Sequence, residues 1–252
     1  MALSTLDQGA GMTDTASRIV PQPHARLTGA LYLYIMGAAM FAEVFVRGKL
    51  VVGDPAVTWR NIAASEPLWR LGVVANVSVT LCDIAVATLL YLLLRPVSRP
   101  AALTAAFFRL AYSAAMAANA VFLLGPLGLL GGAAGSGAVA AQSQTLIMYS
   151  LQLHAAGFQV ALVLFGIHLA LVGGLIARST YLPRLIGAAL VVAGSCYVAN
   201  SVIGMLTPPL AHSLFPWLLL PGFVAEASLT LWLLIAGVGS ERWARACRAA
   251  EH

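Results

Sequence analysis

The sequence predicts an all-α integral membrane protein, a bundle of six transmembrane helices with both termini in the cytoplasm. Three observations predict it. Of 252 residues, 60% are hydrophobic and only 9% are charged, against about 25% charged in a soluble domain. The mean hydropathy is +0.88, and the apolar residues gather into long runs separated by polar turns. The basic residues stand at the ends of those runs rather than in one block, as they do in membrane proteins. The lipid bilayer is therefore the expected partner, and nucleic acid is not.

The chain divides into a disordered cytoplasmic tail at 1–25, a transmembrane domain at 26–240 and a basic cytoplasmic tail at 241–252. The first tail is polar and lacks the apolar core of a cleavable signal peptide. The first helix covers about Leu27 to Val46 and ends on Glu43 and Arg47, whose i,i+4 spacing puts them on one face. The stretch 48–67, with Lys49, Asp54, Arg60 and Glu66, is too polar to span. Trp59 and Trp69 place it at the lipid–water boundary. A second helix, about Leu68 to Leu94, carries Asn76 and Asp83. Pro96 and Pro100 stop it at the turn RPVSRP.

A third helix, about Ala101 to Leu124, carries Arg109 and Asn119, and the glycine-rich run after it reads as a flexible loop. The fourth helix, about Tyr149 to Ala177, holds His154 and His168. The fifth, about Pro183 to Leu206, holds Asn200. TPPLAHSLFP then reads as a turn, and the sixth helix, about Trp217 to Val238, holds Glu226. The tail ERWARACRAAEH is expected on the membrane face. Six spans put both ends on one side. Arg18, Arg26, Arg95, Arg99, Arg178, Arg184, Arg242, Arg245 and Arg248 fall on that side, and Arg47, Lys49, Arg60 and Arg70 on the other. The positive-inside rule then assigns both termini to the cytoplasm. Cys82, Cys196 and Cys247 have neither paired nor metal-ligand spacing.

Six segments, AEVFVRGKLVV, ASEPLWRLGVV, CDIAVATLLYLLLRPV, LHAAGFQVALVLFGIHLALVG, RSTYLPRLIGAALVVAGSCYV and VAEASLTLWLLIAGV, occur in this order. Together they resemble the bacterial membrane family labelled domain of unknown function 4386, over about Arg26 to Val238. The resemblance implies a six-helix integral membrane protein of the cell (inner) membrane and carries no activity with it. The chain departs from the family pattern mildly, in an Ala- and Gly-rich third loop.

The polar residues inside the spans are the candidate site. An ionisable group at the centre of a spanning helix costs about 2.5–3.5 kcal/mol on insertion scales. At about 1.5 Å rise per residue, Asp83, Arg109, His168 and Glu226 all lie roughly 13–21 Å from one end of their helices. They form an inner layer, read as a polar pocket. Glu43, Arg47, Asn76, Asn119, His154 and Asn200 form a layer nearer the other side. Arg109 keeps its charge and needs an acid nearby. Asp83, on the neighbouring antiparallel helix, is the expected partner, with Glu226 or His168 in the same cluster. Glu43 is expected beside Arg47, with His154 close by. His154 and His168 are four turns apart on one face, but haem ligation needs a facing histidine helix, and His24, His212 and His252 lie in tails or a loop. Asp83, His168 and Glu226 are ligand types that suit a divalent metal, yet no helix metal motif accompanies them. Neither a metal nor a cofactor is expected, and no catalytic residue is singled out.

Three functions fit this pattern. The leading one is a structural or accessory membrane protein with a membrane-protein partner, its helices fixed by a charge-paired cluster. The second binds or transports a small solute or amphiphile through the polar pocket. The third is an intramembrane enzyme acting on a lipid-like substrate, with one acid as general acid or base.

Overall fold

The structure is a computed structural model that describes residues 21–214 and 217–250. The tail expected at 1–25 lies outside the described residues up to residue 20, as do 251–252. Every regular element described is helical. An apolar chain in lipid must satisfy its backbone N–H and C=O groups internally, and a helix does so within one segment.

Helix α1 (Pro21–Met40) runs into a π-helical segment (Phe41–Arg47) and the short α2 (Gly48–Leu50). There follow α3 (Pro55–Ala64), α4 (Glu66–Leu94), α5 (Arg99–Asn119), α6 (Val121–Ala133), α7 (Gly137–Arg178), α8 (Arg184–Leu206), α9 (Pro208–Leu214), α10 (Leu220–Ile235) and α11 (Ser240–Ala249). Five stretches are long and apolar enough to cross a bilayer: Pro21–Leu50, Glu66–Leu94, Arg99–Gly132, Gly137–Arg178 and Arg184–Leu206. The count is six when α10 and α11, bent by 102° at their junction, form one broken span. The chain is a multi-pass all-α bundle.

Helices α7 and α8 form the tightest pair. Gly173 faces Gly187, and Gly166, two turns away, faces Gly194. A Cβ on Gly173 would lie 2.6 Å from the Gly187 carbonyl oxygen, and one on Gly166 2.7 Å from that of Gly194. Seven residues is close to two helical turns, so on each helix both glycines share one face. With no side chains there, the two backbones come into contact.

Two expected loops are helical. The glycine-rich run after Leu124 continues as α6 through Gly125 and Pro126, and α7 begins at Gly137 rather than near Tyr149, leaving a break at 134–136. A helix-interior glycine costs about 1 kcal/mol, less than the several kcal/mol of an unpaired backbone group in lipid. Pro126 has no N–H to offer the carbonyl of Phe122. Ser150 Oγ, on α7, donates to that carbonyl at 2.6 Å. Trp69 Nε1, on α4, donates to the next one, Leu123, at 2.9 Å. The turn expected at 207–216 contains α9, opened by the proline pair Pro208–Pro209, whose fixed φ suits a first turn.

The polar stretch 48–67 contains a helix of its own. Asp54 caps α3 by accepting from the Val57 N–H at 2.8 Å. Trp59 Nε1 donates to the Leu130 carbonyl of α6 at 3.3 Å.

At the end of the bundle that holds the start of α1, α11 docks through Trp243. Trp243 is buried, 3% exposed. Its Nε1 donates to the Leu93 carbonyl at 3.0 Å, which also accepts from Tyr181 Oη at 2.8 Å. The two side chains cap the last turn of α4. Burial pushes the Tyr181 hydroxyl above the ordinary tyrosine range, so it remains a donor. Gly237, with φ +68, makes the turn into α11. Gln22 fixes that turn to α1 by donating to the Ala236 carbonyl at 3.1 Å and accepting from the Val238 N–H at 2.9 Å.

Candidate functional site

Asp83 and Arg109 meet because α4 and α5 are antiparallel neighbours joined by the turn at 95–98. Ser98 and Pro100 start α5 there. The Arg109 guanidinium forms an ion pair with Asp83 Oδ1 through Nη2. Through Nη1 it donates to Tyr32 Oη at 2.6 Å and meets His168 Nε2 at 3.1 Å. His168 Nδ1 lies 2.9 Å from the Ala105 carbonyl. A carbonyl can only accept, so Nδ1 carries the proton and Nε2 accepts a hydrogen bond from Arg109. The cation also lies against two rings, with its Cζ 4.7 Å from the centre of Tyr32 and 5.3 Å from that of Phe165. Thus α1, α4, α5 and α7 are tied together at one guanidinium.

Glu226, the fourth residue of the inner layer, is not bonded to that cluster. Tyr197 Oη donates to Glu226 Oε1 at 2.8 Å. Among the described residues the ion pairs are Arg109–Asp83, Arg47–Glu43 and Arg70–Glu66, and none includes Glu226. His168 uses both ring nitrogens on Arg109 and Ala105, and among the described residues no three His, Cys, Asp or Glu side chains converge to hold a metal.

The second layer separates into three parts. Glu43 pairs with Arg47 and accepts from Asn76 Nδ2 at 3.3 Å. The π-helical turn holds this group, since the Gly48 N–H reaches back five residues to the Glu43 carbonyl. Asn119 and His154 form the second part. Asn119 Nδ2 donates to the His154 carbonyl at 2.9 Å, and His154 Nδ1 lies 3.2 Å from the Asn119 carbonyl where α5 breaks into α6. A Cβ on Gly157 would collide with the Asn119 side chain. Among the described residues no hydrogen bond or ion pair joins Glu43 to His154: Glu43 is taken by Arg47 and Asn76, and His154 holds the Asn119 carbonyl through Nδ1 while its buried Nε2 has no partner. Asn200 stands apart, with Nδ2 3.5 Å from Gln159 Oε1.

Between the two layers lies a cavity of about 320 Å³. Asp83, Glu226 and Glu43 reach its wall, with Tyr112 and Tyr197; Met36, Met40, Phe158, Phe165 and Phe223 supply apolar surface. It forms where α1 and α10 part. These helices touch at Gly29, where a Cβ would lie 2.7 Å from Leu234 N, and at Met36, whose sulfur is 3.7 Å from Thr230 Oγ1. Beyond that point Met40 at the end of α1, Val44 in the π-helical segment and Phe223 on α10 are about half exposed or more, so the cavity opens sideways, towards the space that lipid would fill. Val79 and Leu162 also line it.

The tyrosines were the residues missed in the sequence. Tyr32 lies 11 residues into α1 and Tyr197 13 residues into α8, depths close to those of Asp83 and Arg109. The same depth count applied to hydroxyl-bearing aromatics finds both.

A relative from Archaeoglobus fulgidus, described as "Uncharacterized protein", is 26% identical over 159 residues, covering 63% of this chain and 79% of the relative. No solved structure matches the chain. The family described as "Domain of unknown function (DUF4386)" matches residues 27–237, almost the whole bundle, and the chain belongs to that family.

Proposed function

We propose that this chain is a multi-pass protein of the bacterial cell (inner) membrane that binds an amphiphile in the cavity between α1 and α10. One observation carries the reading: an apolar space of about 320 Å³ that opens sideways and ends on Asp83, Glu226 and Tyr197. That volume is within the range of small-molecule sites, about 300–1,000 Å³, and its mostly apolar wall with few polar groups is their usual composition. A purely structural role explains the Asp83–Arg109 pair. It does not call for an acid held at the wall of an open apolar space. The Asp83–Arg109–Tyr32–His168 cluster then serves as the rigid floor of the site. The arginines at 95–99, 178–184 and 242–248 support an orientation with both termini in the cytoplasm.

The test is photolabelling of the full chain in detergent with a neutral alkyl diazirine. Label concentrated on Met36, Met40 and Phe223, and reduced several-fold by filling the space with Ala39→Trp, is the expected result. Label spread evenly over the exposed apolar faces, unchanged by Ala39→Trp, would leave the structural role as the better reading.

A further inference from the structure

We infer that the head group this cavity takes is a cation, an alkylammonium amphiphile, with Glu226 as its counter-ion. The inference rests on reading the cavity as an amphiphile site and adds the charge of the ligand. Each other acid at the wall already has a cation: Asp83 has Arg109, and Glu43 has Arg47. Glu226 has Tyr197 as its hydrogen-bond donor and no cationic side chain in ion-pair contact among the described residues. The two terminal nitrogens of Arg109 are taken by Asp83, Tyr32 and His168. A cation beside Glu226 would hold its carboxyl ionised; with Asp83 and Glu226 then at −1 each, Arg109 at +1 and a neutral His168, the protein side of the inner end of the cavity supplies one negative charge for the head group to balance.

The rings around it suit a cation. Tyr112, Phe158, Phe165, Tyr197 and Phe223 share the wall with Glu226, and aromatic faces attract ammonium groups, most strongly where water is excluded. Phe165, one of these rings, already lies against a cation on another side, the Arg109 guanidinium. An anionic head group would instead face two carboxylates. The open side between Met40 and Phe223 lets an alkyl chain lie along the apolar wall while the head reaches Glu226.

The test is competition against the neutral photolabel by three ligands of equal chain length: decyltrimethylammonium, decanol and decyl sulfate. In the unmodified chain the ammonium ligand should displace cavity label at a concentration at least tenfold below that of decanol, with decyl sulfate the weakest. In Glu226→Gln the ammonium and the alcohol should compete within twofold of each other. Equal competition by ammonium and alcohol in the unmodified chain, or preference for the sulfate, overturns the cationic head group and leaves the amphiphile site standing. Absence of cavity label overturns the amphiphile site itself. If Glu226→Gln does not fold, the comparison in the unmodified chain decides alone.

Discussion

Asp83 and Arg109 form an ion pair between α4 and α5 with their side chains only 2% and 0% exposed. An arginine so placed cannot discard its charge, and the pair is completed by Tyr32 and His168. Breaking a buried pair by removing one partner costs about 3–5 kcal/mol, because the other charge is stranded. Asp83→Asn should therefore cut the folded yield far more than Ala85→Ser on the same helix. The double variant Asp83→Asn with Arg109→Gln should recover part of the loss. Size-exclusion profiles of the detergent-extracted variants read the outcome, and a double variant no better than the worse single one would refute the pairing.

The glycine contact between α7 and α8 gives a paired prediction. A Cβ at Gly173 meets the Gly187 backbone, whereas at Gly174, one residue on, nothing lies within 4 Å. Gly173→Ala should force the helices apart and cost about 1–3 kcal/mol, as overpacking does. Gly174→Ala should be neutral or stabilising by up to about 1 kcal/mol, from helix propensity alone. Thermal unfolding of the two variants in one detergent separates them, and equal destabilisation would contradict the contact.

Ser150 and Pro126 should be coupled. In the natural sequence Ser150→Ala leaves the Phe122 carbonyl without its donor, a loss of about 1–3 kcal/mol for a group sealed from water. In a Pro126→Ala background the residue at 126 regains an N–H that reaches Phe122 within the helix. The Ser150→Ala change should then cost less, by about 1 kcal/mol in a double-mutant cycle. Additive losses would mean that the hydroxyl does not substitute for the missing amide.

Trp243 should set whether α11 stays docked. Trp243→Phe keeps a ring but loses the donor to Leu93, for about 0.5–1.5 kcal/mol. Trp243→Ala empties the site and should cost about 3–5 kcal/mol. Hydrogen exchange should rise first in 240–249, well before 220–235. Unchanged protection in α11 after Trp243→Ala would show that the helix is held by something else.

The spans and the Asp83–Arg109 pairing were legible in the sequence for one reason. Both follow from quantities that a single chain carries: apolar length and depth along a helix. The glycine-rich run after Leu124 misled because glycine and proline signal loops in water, whereas lipid penalises open backbone more than a helix penalises glycine. The hydrogen bonds of Asn76 to Glu43 and of the His154 ring to the Asn119 carbonyl were not legible, since equal depth says nothing about position around the bundle. Glu226 shows the same limit: it shares the depth of Arg109 but takes its hydrogen bond from Tyr197 on α8.

The central claim is that this cavity holds an amphiphile, and a structure of the full chain in lipid nanodiscs tests it most directly. Elongated density should enter between Met40 and Phe223 and end within hydrogen-bond distance of Glu226. A gap between α1 and α10 closed by side chains, with Glu226 turned to another protein group and no density beside it, would contradict the account.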